Sequence, residues 1–375
     1  SGLVHRSVLD GRILFAYQRE SQRALTYAQV DAARRQALHR RCADLFVEQG
    51  QRERAAHHAL EAEDHARAIP LALEAASTFA ARHAHAEAAA LLERVLEDAP
   101  AEDIPVELHE YLAELYRVVG DYGRALVHAE QVREQRPEHA QAAHRVGRLL
   151  TLAGKLDQAA PQLREAHDLA EDVHVRAQVE TALAELDYQR ARYDDAERWA
   201  EAALELAVEA DELSLQIHAR NTLGKVALAR KEASAAAELF EANHALASKA
   251  GLGHQEAQAL TNLGVARMRQ QRLGDAKRCF ADAAEVATTV GDLRDLAIAT
   301  ENLAVLAHLR RDYREALAHY HQAVAQLKRL GNRAMLTRVG LNLGWLYLAL
   351  GDTDRARSLH NFAQHMGGAN LPPLF

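Results

Sequence analysis

Apolar and small residues recur along this chain on two superimposed rhythms. The short one is helical. Ala259, Leu263, Gly264, Val265 and Ala266 share one stripe, and the chain breaks at Arg272-Leu273-Gly274. Ala276, Phe280, Ala283 and Val286 then form a second stripe at steps of three and four. The long rhythm is a constant step through Leu183-Ala184, Leu223-Gly224, Leu263-Gly264, Leu303-Ala304 and Leu343-Gly344. Three further columns keep the same step: Ala196, Ala236, Ala276, Ala316, Ala356; Ala200, Phe240, Phe280, Tyr320, His360; and Ala203, Asn243, Ala283, Ala323, Ala363. Columns held in register in this way predict a solenoid of helix pairs, in which each unit buries its apolar face only against its neighbours. Glycines at 251, 291, 331 and 351 close the units, where a left-handed residue ends a helix at little steric cost. Gly264 and Ala276 are expected at the crossing of the two helices of one unit, where a larger side chain would push them apart.

Upstream the rhythm continues with shorter steps. LAELYRVVGDYGRALVHAEQV (112–132) and VGRLLTLAGKLDQAAPQLREA (146–166) are two units, with Ala125 and Ala159 as their matching alanines, and FAARHAHAEAAALLERVLEDAP (79–100) is a degenerate one. NLGVARMRQQRLGDAKRCFADAAEVA and NLAVLAHLRRDYREALAHYHQAVAQL carry the signature most fully. On these motifs the chain resembles the tetratricopeptide-repeat family, whose unit is about 34 residues. The longer step resembles the lengthened units of kinesin light chain, cell-polarity scaffolds and bacterial signalling ATPases. The resemblance spans positions 68 to 366. It implies an all-α fold, a right-handed superhelical α-solenoid of about eight to nine helix pairs.

The segment 1–65 does not follow the repeat. LVHRSVLDGRILFAYQ has β-type runs on either side of Asp10-Gly11, a dipeptide that favours a hairpin. Two helical segments follow, ESQRALTYAQV and DAARRQALHRRCADLF. This order, with Arg34 to Arg41 and Ala55 to Glu61, resembles the junction between winged helix and helical array in STAND-type signalling ATPases, the class of the maltose-regulon activator. The chain departs from that class at His65-Ala66-Arg67, where the class has a proline-containing turn. The expected organisation is a partial winged-helix-like junction over 1–65, a tetratricopeptide array over 66–366 and a tail over 367–375. The tail's LPPLF run, with Pro372-Pro373, cannot be helical through its prolines. The resemblance further implies that the chain is part of a longer bacterial protein with a nucleotide-binding module upstream.

Composition fits a helical protein rich in alanine and leucine. The net charge of −8 argues against a general nucleic-acid binder. Cys42 and Cys279 are far apart in a linear array, so two free thiols in a reducing cytosol are expected. No apolar run is long enough to span a membrane and there is no signal peptide, so the expected location is cytoplasmic.

Catalytic constellations are absent from the pattern. Gly154-Lys155-Leu156 and Gly224-Lys225-Val226 lack the glycine and hydroxyl of a phosphate-binding loop. His57-His58 with Glu61 places a histidine and a carboxylate on one helical face, but a metal helix needs a third ligand, so packing explains the run. His319 and His321 point to opposite sides of a helix, and His360 and His365 share a face only loosely. Cys279 has no base near it in sequence and reads as an inert thiol. No catalytic residue, metal site or cofactor is expected, and any ATPase or kinase activity would belong to the upstream portion.

The chemistry of such an array lies in its groove, lined by the first helix of each unit. The column before each leucine reads Ala182, Thr222, Asn262, Asn302, Asn342, with Asn221 beside it. An asparagine amide donates and accepts at once, so it can bond an extended peptide backbone. It can equally bond a neighbouring helix. Neighbouring columns add His218, Gln258 and Arg338, then Lys225 and Trp345, then His308. Trp345 reads either as an anchor or as core at the array end. Near the other end, Glu107, Glu110 and Glu114 face His144, Arg145 and Arg148 of the next unit, either pairing between units or binding a charged partner. Together with the resemblance, these columns lead us to expect a non-catalytic sensor or scaffold module of a larger signal-transduction protein. It would bind a protein or peptide in its concave groove, with no nucleic acid and no membrane as partner. The alternatives are a stand-alone adaptor that assembles a complex and a small-molecule-sensing domain of a transcription regulator.

Overall fold

The computed structural model describes residues 4–9, 12–17 and 20–367. The Asp10-Gly11 turn and the 368–375 part of the tail lie outside the described residues. The chain divides into two compact units, one of residues 1–79 and 90–105, the other of residues 80–89 and 106–375.

The first unit opens with two strands, β1 (Val4–Leu9) and β2 (Arg12–Tyr17), paired antiparallel with Val4 opposite Tyr17 and Leu9 opposite Arg12. Helices α1 (Glu20–Gln29), α2 (Ala32–Glu48) and α3 (Arg52–Glu61) follow. Asp31 caps α2 by accepting the N–H of Arg34 at 2.9 Å. A relay of side chains ties the three helices: Tyr27 Oη lies 2.9 Å from His39 Nε2, and His39 Nδ1 lies 2.8 Å from His58 Nδ1. His57 and Glu61 are 3.9 Å apart, with Arg94 on the same carboxylate at 3.2 Å, an ordinary ion-pair cluster. Helices α4 (His65–Ala81) and α5 (His85–Asp98) lead out of this region.

In the second unit the helices come in hairpins. These are α6 (Val106–Val119) with α7 (Tyr122–Gln135), α8 (Ala140–Leu152) with α9 (Leu156–Leu169), and α10 (Val173–Gln189) with α11 (Tyr193–Glu209). Then come α12 (Leu213–Ala229) with α13 (Ala233–Ala250), and α14 (Gly253–Arg269) with α15 (Leu273–Thr289). The last two are α16 (Leu293–Leu309) with α17 (Tyr313–Leu330), and α18 (Arg333–Ala349) with α19 (Thr353–Gly367). The first helices of the last five hairpins begin at 173, 213, 253, 293 and 333, so the long period of the sequence is the period of the backbone. The two hairpins before them are shorter, as α6 and α8 begin at 106 and 140. The described helices α6 to α19 thus form a tetratricopeptide-type α-solenoid.

The repeated step has a packing cause. The alanine column from Ala196 to Ala356 is fully buried at every copy, where nothing larger fits between hairpin helices. The aromatic column is buried too, and it explains the glycines. A Cβ on Gly264 would come within 2.4 Å of Phe280 Cε1, and one on Gly224 within 2.5 Å of Phe240 Cε1. Gly264 therefore sits where α14 meets α15, and what it makes room for is the ring of the second helix. Where the ring is Tyr320 the matching residue is Ala304, and both are buried. Asn243 is a polar exception in an alanine column. It is satisfied by donating to Ile217 O at 2.9 Å and accepting from Arg220 at 3.1 Å.

Candidate recognition surface

The first helices of successive hairpins touch through one continuous set of side chains, and these include most of the residues singled out from sequence. Asn262 Nδ2 donates to Asn221 Oδ1 at 2.6 Å, joining α14 to α12. Lys225 Nζ donates to Glu185 Oε2 at 2.8 Å, joining α12 to α10, and sits 5.8 Å from the Tyr188 ring centre. Asn342 Nδ2 and Arg338 Nη2 reach the two oxygens of Glu301 at 2.9 and 2.6 Å, joining α18 to α16. Asn302 differs: its Nδ2 donates to Ile298 O of its own helix at 2.9 Å. The amides stand on successive first helices, and their N–H groups bond neighbouring helices or their own backbone while the side chains stay half-buried on the wall these helices form. Gln258 lies 2.9 Å from His254, one turn away on α14. Trp345 stands in the column of Lys225 and is 51% exposed, so the wall presents its indole to solvent. His308 packs edge-on to Tyr313 at 6.0 Å, and burial lowers its pKa.

Pairing accounts for part of the charged residues of α6 and α8. Arg145 pairs with Glu110 across the hairpins at 3.3 Å, and Arg136 holds Glu107 at 2.8 Å. Glu114 is held by Arg117 of its own helix. Arg148 is exposed and Arg294 half-buried, and neither guanidinium lies within ion-pair distance of a carboxylate among the described residues. Each lies in the other's field although they sit on α8 and α16, because the wall curves round to face itself. Arg148 touches solvent yet is enclosed by that curve. Removal from bulk water, followed by repulsion from Arg117, holds it below the usual arginine range. His144 and His218 are each pushed down to about 4, first by desolvation and then by Arg148. The sequence pattern does not single out Arg294 or Arg117. Their role depends on curvature, which no local pattern carries.

The wall also holds a denser cluster at the start of α14 and α16. Asp292 caps α16 by accepting the N–H groups of Arg294 and Asp295 at 2.9 Å each, and its other oxygen lies 2.9 Å from His254 Nδ1. Asp295 Oδ2 lies 2.6 Å from the same nitrogen. These two carboxylates, Asp292 foremost, raise the His254 pKa to about 9. Sequence reasoning missed this cluster, although the chain carries a signal for it: His174, Gln178 and Glu212 repeat His254, Gln258 and Asp292 two copies upstream.

A tetratricopeptide-repeat family model matches residues 255–329 and 295–363, so this stretch is a tetratricopeptide array. No curated protein sequence matches the chain. Among solved structures, a Rap protein complexed with competence and sporulation factor aligns with a TM-score of 0.55 at 13% identity, over 80% of this chain and 87% of that one. A signal transduction ATPase with numerous domains from Pyrococcus horikoshii, which has a tetratricopeptide repeat sensor, aligns with a TM-score of 0.51 at 15% identity. That match covers 97% of this chain and 50% of that one. At these identities the likeness is one of fold. No described helix is long and apolar enough to cross a membrane.

Proposed function

We propose that this chain is a non-catalytic recognition module that holds an extended peptide or protein segment along its inner wall. In this reading it is the cytoplasmic sensor or scaffold part of a larger signal-transduction protein, with any nucleotide chemistry in another portion. The observation that carries the reading is the inner wall itself. Half-buried amides, an exposed indole at Trp345 and the two cations Arg148 and Arg294 all stand on first helices of the hairpins, with Arg148 in the field of Arg294. Amides suit a peptide backbone, the indole suits an apolar anchor, and the paired guanidinium groups suit an acidic side chain or a terminal carboxylate. The two solved neighbours support it by analogy of fold, one being complexed with a factor and the other carrying a repeat sensor.

The test is selection of peptides on the full chain, followed by titration of a selected synthetic peptide. Paired Asn302→Ala and Asn342→Ala changes should weaken its binding by about tenfold, since 1.4 kcal/mol is one decade and a lost hydrogen bond costs roughly 0.5–1.5 kcal/mol. Arg148→Ala with Arg294→Ala should act in the same direction for peptides bearing a carboxylate. Unchanged affinity in both double variants, with normal melting, would move the partner off this wall. ATP hydrolysis that tracked the pure chain and vanished on a point substitution within it would overturn the non-catalytic reading.

A further inference from the structure

The three donors His254, Asp292 and Asp295 form a set that one proton serves unevenly. Their ligand atoms all lie within 4.8 Å of one another. Asp295 is 2% exposed, and no hydrogen bond reaches either of its carboxylate oxygens, although Oδ2 is only 2.6 Å from His254 Nδ1. The reason is geometric. The single Nδ1–H points at Asp292 Oδ2, so a second carboxylate crowds the same nitrogen without receiving a proton. Both carboxylates then share the single positive charge of His254, and Asp295, buried and without a hydrogen bond of its own, is compensated by that charge alone.

Along the array the aspartate is specific to this place. The same position in the other long copies is Val175, Leu215, Gln255 and Met335, mostly apolar. The related cluster two copies upstream has His174 Nδ1 at 3.2 Å from Glu212 and Gln178 at 2.7 Å from the other ring nitrogen, but buried Leu215 stands where the third donor would be. The molecule thus contains a three-donor cluster and a two-donor counterpart.

We propose that His254, Asp292 and Asp295 bind one divalent first-row metal ion of the Zn2+ type and so clamp the first helices of two adjacent repeats. One imidazole and two carboxylates are ordinary ligands for such an ion, with a fourth position left for solvent. A divalent charge neutralises both carboxylates and is shared by all three donors, as a proton is not. Tetrahedral coordination needs donors about 3.3 Å apart, so the 2.6 and 2.9 Å separations open by about 0.7 and about 0.4 Å on binding. The remaining groups are prepared for it. Asp292 is fixed by its capping bonds, and its second oxygen is turned to the site. Gln258 Nε2 lies 2.9 Å from His254 Nε2, and turning that amide over on metal binding would put its oxygen there to accept the Nε2–H, leaving Nδ1 for the metal.

The experiment is calorimetric titration of the metal-stripped full chain with ZnCl2, and separately MnCl2, with no peptide present. One saturable equivalent is expected, with a rise in melting temperature. Asp295→Asn, which preserves volume, and Asp292→Asn, which preserves the cap, should each weaken it by more than about a hundredfold, and Gln258→Ala by about tenfold. His174→Ala, in the two-donor counterpart, should leave the equivalent unchanged. Absence of a saturable equivalent for either metal, or one that survives Asp295→Asn, overturns the proposal. Loss with His174→Ala would overturn it too. Should Asp295→Asn melt abnormally, the 15N resonance of His254 Nδ1 in the wild-type chain decides, since a metal-bound nitrogen and a protonated one differ.

Discussion

Asn332 and Val118 lie near opposite ends of the array, and the side-chain amide of the first donates to the carbonyl oxygen of the second at 3.1 Å. The same side chain caps α18 by accepting the N–H of Met335 at 2.9 Å. It is 3% exposed, and Gly120 leaves it room: a Cβ there would come 2.8 Å from Asn332 Oδ1. One residue therefore starts a helix near the end of the array and pins the α6–α7 turn to it.

The two roles of Asn332 separate by substitution. Serine keeps the cap but cannot reach Val118, so Asn332→Ser should cost about 1 kcal/mol for the lost hydrogen bond. Alanine loses the cap as well, so Asn332→Ala should cost about 1 kcal/mol more. Urea denaturation gives both numbers, and amide exchange at residues 119–121 should quicken in both variants if the pin is lost. Unaltered exchange there would show that other contacts hold the turn.

Two helical glycines should respond in opposite directions to the same change. Gly264→Ala drives a methyl into Phe280, an overpacking cost of about 1–3 kcal/mol against a helix-propensity gain of about 1 kcal/mol. Gly340 has nothing within 4 Å of an added Cβ. There Gly340→Ala should stabilise by about 1 kcal/mol. Phe280→Leu should be less costly in the Gly264→Ala background than in the wild type, a coupling that a double-mutant cycle by thermal melts will read. Additive effects would mean that the ring and the glycine do not limit each other.

Acid should weaken the fold in a window set by two inner-wall histidines. His144, beside Arg148 and Arg145, and His218, beside Arg148, His254 and Lys225, are held near about 4 against an ordinary value of 6.5. Unfolding takes up protons between those values. Their contribution is thus fully present above 6.5 and is lost as pH falls toward about 4. Urea midpoints measured across this window should slope downward with acid, and His144→Gln with His218→Gln should flatten the slope. An equal slope in the double variant would assign the acid sensitivity to other groups.

Much of the architecture was written in local and periodic features. Evenly spaced helix starts, buried alanine and aromatic columns and the left-handed turns at 251, 291 and 331 all depend on contacts within a unit or with the next one. Such contacts leave a mark in every copy, which is why the sequence determined the repeat, the hairpins and the placement of the asparagine columns on first helices. It also left Trp345 open between anchor and core. The structure leaves it 51% exposed.

The tertiary structure alone decided what happens between distant copies. Small rotations between repeats add up to a curvature that brings Arg148 into the field of Arg294 and Asn332 onto Val118. It also decided what the amides bond, since Asn262 finds Asn221 while Asn302 turns back on its own helix. The burial of Asp295 belongs to the same class. In sequence it is one acid among many, and only packing against α14 sets it beside His254, where the cost of an unsatisfied carboxylate makes it chemically informative.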